Sequence, residues 1–562
     1  MKKEIAKLVK KTLKNSDITE KEIEQLIEIP PSSEMGDYAF PCFSLSKLLR
    51  KNPNQIAAEI KNAIETENFD EVKVIGGYLN FFLDREKFAN RIVSEILKKK
   101  EKFGKPNLKK EKIIIEFSQP NTHKAFHVGH IRGTSLGESL ARISEFCGNK
   151  VLRANYSGDT GMHVAKWLWC YMKYHTKEKL KNDESWISSV YVDAVKKIGE
   201  NEELQKEVDE INRKLENKKD KKLNELWKKT RKLSIDSWKK IYKELNTKFD
   251  VYFFESQMEE NGKKISLELL KRGIAEKSDG AVIMNLEEYG LGIWVLLRSD
   301  GTVLYSAKDI ALAKLKTSKY KADKYLVAVA DEQKLHFQQL LKTLELANIT
   351  KKNNYRFITF GLVRLPEGKM SSRTGDNILY SEFMKEIVDY AKKEIKKRTE
   401  KISAKELEKR ALKISIAAIK YSMLKQNSNK NIIFDKKDAM NFEGDTGPYI
   451  LYSHARANSI LKKSKTKKIK FIVKNETEEK EFELAKKLSY FPEIVLHAYE
   501  NSNPSLIANY VYQLSQIFNE FYHMCPVIGS ERKIFRLSLV KSFRQVVNDT
   551  MNLLGIEVLE EM

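Results

Sequence analysis

Cysteine is scarce: Cys42, Cys147, Cys170 and Cys525 stand far apart, and no two form a CxxC pair. That spacing argues against a disulfide framework and against the usual zinc-binding patterns, so no metal site is expected. No apolar run approaches the roughly 20 residues of a membrane span. The opening MKKEIAKLVKKTLKN lacks the apolar centre of a signal peptide. The expectation is a cytoplasmic protein with no membrane partner. The common nucleotide fingerprints are also missing. A GxxxxGK[ST] loop fails because Val363, not glycine, stands five positions before Gly368, and GLGIWV at 290 lacks the third glycine of GxGxxG.

The chain has 562 residues, too many for one hydrophobic core, and its hydrophobic content of 41% is ordinary for a globular protein. Three or more domains are expected. The net charge of +24 has two readings. Either RNA phosphates reward the lysines and arginines through counterion release, or the surface is generally basic; charge alone does not separate them.

Residues 1–105 read as a small α+β unit. Helical periodicity runs through KEIAKLVKKTLKN and PNQIAAEIKNAIE, and EVKVIGGYLNFFLD reads as two strands turning at Gly76-Gly77. The polar linker FGKPNLKKEK follows. IIIEF (113–117) is a buried-strand pattern, IRGTSLGESLARISEF a helix stopped by Gly148, and VLRANY (151–156) a second strand. Strand, helix and strand at this spacing make a βαβ unit of a parallel sheet. Residues 106–380 therefore read as an α/β domain. Its charged stretch at about 176–245 is an insertion, most simply a helical hairpin. Residues 381–440 read as a helical connector and 441–562 as a helical domain, interrupted by a strand or ribbon at KKIKFIVKNETEEKEF. The lysine run at 462–470 reads as a solvated loop.

Histidine is rare, nine in the chain, yet NTHKAFHVGH places His123, His127 and His130 within eight positions. His127 and His130 fall where the first strand of the α/β domain hands over to its helix, the phosphate-binding corner of an open sheet. A helix N-terminus offers free N–H groups and partial positive charge there. Gly129 leaves room for a nucleotide against the backbone. Two imidazoles one turn apart can donate to phosphate oxygens. The alternatives are a metal pair, for which no third ligand pattern is evident, and polar residues satisfied at a helix start. EGKMSSRTGD (367–376) offers a lysine, hydroxyls and an arginine on a glycine-bounded loop, able to clamp a triphosphate or to be a basic turn.

Together these motifs resemble two signatures. HVGH is similar to the HIGH motif, and KMSSR to the KMSKS motif, of class I aminoacyl-tRNA synthetases. EFSQPNTHKAFHVGHIRGTSLGESLARI, RSDGTVLYSAKDIALA, GDTGPYILYSHAR and LLGIEVLEEM resemble the arginyl-tRNA synthetases. GDYAFPCFSLSKLLRKNP and GGYLNFFLD resemble the amino-terminal domain of that family.

The resemblance implies a multidomain α/β fold: a class I Rossmann-type catalytic domain between an amino-terminal α+β tRNA-binding domain and an all-helical anticodon-binding domain. It implies arginine–tRNA ligation with L-arginine, ATP with Mg²⁺, and tRNA(Arg) as partners, a monomeric state, and a first step that needs bound tRNA; the cysteine spacing adds the expectation of no zinc. Catalysis falls to His127, His130, Lys369 and Lys124. ATP is held by His127, Gly129, His130, Lys369, Ser371, Ser372 and Arg373. Ser372 stands where the motif usually has lysine, and Arg373 or Lys124 could supply the missing charge. A guanidinium needs planar acceptors. By resemblance Glu116, Tyr305 and Asp309 read the arginine side chain, and Tyr305 and Asp309, four apart, would share a helix face. Asn121 and Gln333 hold the α-amino group. Glu116 could instead pair with a lysine, and Tyr305 could be core. His163 and His336 are as readily structural as ligand-contacting. Tyr78 and Asn80 match positions used on the tRNA D-loop. Tyr452, Arg456 and Tyr510 are the best choices for the anticodon, although aromatics at helical spacing are commonly core. The rivals are a non-catalytic RNA-binding protein on the same scaffold, or a synthetase for another amino acid such as cysteine.

Overall fold

The computed structural model describes all residues except 14–15, 68, 352, 367–377, 399–400 and 465–476. KMSSR (369–373) and most of the expected carboxyl-terminal ribbon therefore lie outside the described residues, although the last residues of that ribbon, 479–482, belong to the helix Glu479–Ser489. The chain divides into two compact units: residues 1–100 with 463–489 and 517–543, and residues 101–462 with 490–516 and 544–562. Segments from within 441–562 thus contribute to both.

In the first unit an antiparallel sheet runs β1 (Tyr38–Pro41), β3 (Tyr78–Leu83), β2 (Phe69–Ile75). The turn between β2 and β3 is the expected glycine pair, with φ of 55° at Gly76 and 82° at Gly77. Positive φ at both central residues matches the right-handed strand twist. Helices α1 (Lys2–Thr12), α2 (Glu20–Leu26), α3 (Phe43–Leu49), α4 (Pro53–Ala63) and α5 (Arg85–Lys99) are in this unit. Capping fixes their starts: Asn52 precedes Pro53 at α4, and Asp84 accepts from the Lys87 N–H at 2.9 Å to begin α5. Helix Glu479–Ser489 packs on α5, with Phe482 edge-on to Phe88, and Lys486 reaches Asp37 at 2.7 Å.

The second unit is built on a five-stranded sheet in the order β11 (Tyr355–Phe360), β10 (Lys324–Ala330), β4 (Lys112–Glu116), β5 (Lys150–Ser157), β6 (Val251–Phe254), parallel throughout. β4 comes first in this sheet yet lies at its centre. The chain crosses through α6 (Val128–Phe146) to β5 on one side, and later returns to β10 on the other. This reversal opens a crevice at the carboxyl end of β4, the switch point where open α/β sheets bind ligands. α6 lies close over β4: a Cβ on Gly137 would come within 2.0 Å of the Phe117 ring.

The insertion is three helices rather than the expected hairpin: α8 (Glu184–Glu200), α9 (Leu204–Asn217) and α10 (Lys221–Glu244) follow α7 (Met162–Tyr174). Trp167, Trp186, Val190, Val208 and Leu223 form their shared core. Asp220 caps α10 by accepting from the Leu223 N–H at 3.0 Å, which breaks one long charged run into two helices. After β6 come α11 (Glu255–Lys271), a small antiparallel sheet β7–β8–β9 (Glu276–Ser278, Ala281–Asn285, Ile293–Leu297), α12 (Tyr305–Leu315) and α13 (Lys334–Leu346). Beyond the main sheet, β12 (Val363–Arg364) pairs with β13 (Ile432–Ile433), and α14 (Tyr380–Arg398) and α15 (Ala404–Leu424) begin the helical remainder.

Candidate active site

Two adjoining cavities occupy the switch point, and Gln119, Glu332 and Gln333 line both.

The first, about 610 Å³, is walled by His127, Gly129 and His130 on one side and by Gly361, Leu365 and Ile378 on the other. His127 is the N-cap of α6 and His130 its third helical residue. His130 Nδ1 accepts the His127 backbone N–H at 3.1 Å, which leaves the proton of a neutral ring on Nε2. The two rings lie 3.8 Å apart between centroids. Burial, with the neighbouring Lys124 charge second, lowers His127 to about 4, and burial holds His130 well below its ordinary value. Both are therefore neutral donors at physiological pH. A Cβ on Gly129 would stand 3.0 Å from His127 Cε1, so the glycine makes room for that ring. The described ends of the KMSSR segment return to the same place. Leu365 and Ile378 line the cavity, His127 bridges Leu379, and the Tyr380 N–H reaches the Phe126 carbonyl at 2.9 Å. Buried Arg132, two residues past His130, donates to the carbonyls of Gly361, Ser428 and Lys430 at 2.7, 2.8 and 2.5 Å.

The second cavity, about 520 Å³, is lined by all five residues expected to hold arginine: Glu116, Asn121, Tyr305, Asp309 and Gln333. Tyr305 and Asp309 lie on one face of α12, one turn apart. His336 Nε2 meets Asp309 Oδ2 at 2.6 Å, so this histidine orients a carboxylate of the cavity wall. Asn121 sits against Gly158, where a Cβ would come within 2.4 Å of Asn121 Oδ1. Glu116 is already engaged: Lys316 Nζ lies 2.6 Å from Oε2, and Gln119 donates to Oε1 at 2.9 Å. The lysine pairing foreseen as an alternative is the one the fold adopts.

Sequence reasoning missed Glu255, which lines the cavity beside Asp309. Burial pushes its carboxyl up to about 7, with Lys308 opposing and Asp309 and Asp159 adding to the rise. Tyr156 also lines it, and among the described residues its buried hydroxyl has no hydrogen-bond partner. Lys124 lines this cavity, its pKa lowered by burial and by Lys166. His163 lies here too, lowered to about 3 chiefly by burial, its Nε2 without a partner among the described residues. Four carboxyl side chains (Glu116, Glu255, Asp309 and Glu332) and three phenols (Tyr156, Tyr305 and Tyr355) suit a cationic, planar ligand.

The expected tRNA-contact residues fare unevenly. Tyr452 is exposed, with the Arg456 guanidinium 4.7 Å over its ring. Tyr78 is half-buried, edge-on to Phe43. Asn80 is buried in β3, its side-chain amide directed at the Tyr78 carbonyl. Tyr510 corrects the expectation: it is 2% exposed and stacked on Phe491, so its ring packs in the interior rather than standing where a base could lie on it.

Three family models match the chain: an arginyl-tRNA synthetase amino-terminal domain over residues 3–83, the class I (R) tRNA synthetase catalytic domain over 92–436, and the DALR anticodon-binding domain over 450–562. The arginine–tRNA ligase of Clostridium perfringens is 36% identical, with 99% of each chain covered. That of Clostridium acetobutylicum is 35% identical over the whole of both. Among solved structures, Thermus thermophilus arginyl-tRNA synthetase superposes with a TM-score of 0.82 at 25% identity, covering all of both chains. The Plasmodium falciparum enzyme gives 0.81 at 23%, covering 100% of this chain and 99% of its own, a likeness of fold.

Proposed function

Because the chain belongs to the arginyl-tRNA synthetase family and is an arginine–tRNA ligase, we propose that its two adjoining cavities divide the first step, ATP at His127 and His130 and arginine at Asp309 and Glu255. The observation that carries this assignment is the pair of carboxylates on α11 and α12 in a cavity that shares a wall with the paired imidazoles.

The arginine carboxylate attacks the α-phosphorus of ATP, and pyrophosphate leaves with the bonding electrons. The terminal adenosine hydroxyl of tRNA then attacks the carbonyl carbon of arginyl-adenylate, and AMP leaves. Neither step needs a covalent protein nucleophile; positioning and charge stabilisation suffice. His130 Nε2–H and the His127 ring donate to phosphate oxygens as charge develops, and Lys124 adds a cation. Lys369, Ser371, Ser372 and Arg373, which lie outside the described residues, hold the triphosphate as the family motif implies, and the cavity-lining positions of Leu365 and Ile378 support this. Mg²⁺ arrives with ATP as part of the substrate. Asp309, held by His336, and Glu255 accept the guanidinium, and Tyr305 covers its plane. Asn121 and Gln333 take the α-amino group. Glu116 acts through Lys316 by fixing the cavity wall. The exposed Tyr452–Arg456 pair supports a base-stacking role on the anticodon, and Tyr78 offers the second tRNA contact, with buried Asn80 bonded to its carbonyl rather than open to RNA. The enzyme acts as a cytoplasmic monomer. Among the described residues no helix is long and apolar enough to cross a membrane.

The test is charging of total tRNA with one labelled amino acid at a time. Wild type charges arginine alone. Asp309→Asn raises KM for arginine at least tenfold with KM for ATP unchanged, whereas His130→Ala lowers kcat about 100-fold. An Asp309→Asn enzyme with unaltered arginine KM rules out the assignment of this cavity.

A further inference from the structure

We infer that Cys170, His175 and Asp193 bind one divalent metal ion of zinc type, stapling α7 to α8. Cys170 lies on α7, His175 immediately follows that helix, and Asp193 faces them from α8. Cys170 Sγ is 3.4 Å and His175 Nε2 3.0 Å from the same oxygen, Asp193 Oδ2, and all three donor atoms fall within 4.8 Å of one another. A tetrahedral zinc ion, with Zn–S near 2.3 Å and Zn–N and Zn–O near 2.1 Å, separates its ligand atoms by about 3.3–3.7 Å. Both distances to Asp193 Oδ2 therefore lie within about 0.5 Å of the separations such an ion sets.

The outer contacts carry the argument further. His175 Nδ1 is 2.6 Å from Glu178 Oε1. A carboxylate on the far nitrogen fixes the tautomer and turns the Nε2 lone pair toward Cys170 and Asp193, the arrangement typical of metal-bound histidine. The second Asp193 oxygen faces Lys197 at 3.7 Å, which leaves Oδ2 as a single-oxygen ligand. Thiolate, imidazole and carboxylate together favour zinc over magnesium or calcium, and three protein ligands leave a fourth position for water. The Cys170 thiol is buried, but the Asp193 and His175 side chains are 30% and 19% exposed, giving the ion a way in. The cluster shares no residue with either cavity of the active site. Its members are five and eighteen positions apart, so CxxC counting does not find them.

Metal-free, the same atoms form a hydrogen-bonded network with His175 between two carboxylates, and cobalt separates the two cases. The full chain is stripped with EDTA and titrated with Co²⁺. Expected are one equivalent bound, thiolate-to-metal charge-transfer absorption displaced by Zn²⁺, loss of that absorption in Cys170→Ser, and a 10–100-fold weaker affinity in Glu178→Gln. Zn²⁺ also raises the melting temperature of wild type but not of Asp193→Asn. No charge-transfer band in wild type overturns the inference. So does its persistence in Cys170→Ser, and so does an unchanged Co²⁺ affinity in Glu178→Gln, which tests the site should the cysteine variant fail to fold.

Discussion

Lys316 closes on Glu116 inside the sheet end, Nζ to Oε2 2.6 Å, with the two residues only 1% and 3% exposed. The Tyr355 hydroxyl takes a second lysine hydrogen bond at 2.7 Å. The pair joins the end of β4 to the π-helical turn Lys316–Tyr320 that continues α12, the helix that carries Tyr305 and Asp309. Removing one partner strands a buried charge, which costs about 3–5 kcal/mol, whereas replacing both with apolar groups is close to neutral. Glu116→Gln is therefore expected to lower the denaturation midpoint sharply, and Glu116→Gln with Lys316→Met to recover much of it. Equilibrium unfolding of the three proteins measures this.

Glu255 sets a pH dependence. Its carboxyl titrates near 7 because burial disfavours the charged form. Above that pH it is a carboxylate and attracts a guanidinium; below it the group is neutral. KM for arginine should rise up to tenfold per unit as pH falls below 7, and Glu255→Gln should show the raised KM at every pH with no inflection. A wild-type KM flat from pH 6 to 8 would rule this out.

Lys420 predicts a dependence of stability on pH. It is fully buried, donating to the carbonyls of Leu245 and Gly555 at 2.8 and 2.9 Å, and burial lowers its pKa to about 7 against 10.5 in the unfolded chain. Between these values the unfolded state binds the extra proton. Stability from this group therefore rises as pH climbs from about 7 toward 10, by at most about 1.4 kcal/mol per unit. Lys420→Met should remove that slope from melting temperatures measured across the range.

Gly129→Ala tests the imidazole arrangement without touching a polar group. The added methyl would stand 3.0 Å from the His127 ring. The ring must shift by a few tenths of an ångström, so kcat is expected to fall, by at most about 100-fold, with little change in melting temperature. A Gly129→Ala enzyme of normal kcat would show that the His127 ring position does not matter to the chemistry.

The nucleotide corner was legible because its signals are local. A strand, a glycine and two histidines at a helix start fix their own geometry, and the structure makes His127 the cap and His130 the third residue of α6. The shared face of Tyr305 and Asp309 followed in the same way from helical spacing. What the sequence concealed depends on distant partners. The lysine that occupies Glu116 is 200 positions away. Glu255 sits where β6 ends and α11 starts, with no motif around it. The burial of Tyr510 depends on Phe491 from another helix. The third helix of the insertion was missed because Asp220 reads as one more charge in a charged run until its capping role is seen.

The Arg132 clamp bears on the order in which a growing chain can become active. Its acceptors Gly361, Ser428 and Lys430 lie 229 to 298 residues further along. The helix carrying both histidines can form early, but the frame that faces it cannot close until residue 430 has left the ribosome. Further along α6, Ser139 donates to the Leu553 carbonyl at 2.9 Å, 414 positions later. Local structure forms ahead of such distant closures during vectorial synthesis. A nascent enzyme therefore stays without a finished ATP corner until its first 430 residues have emerged.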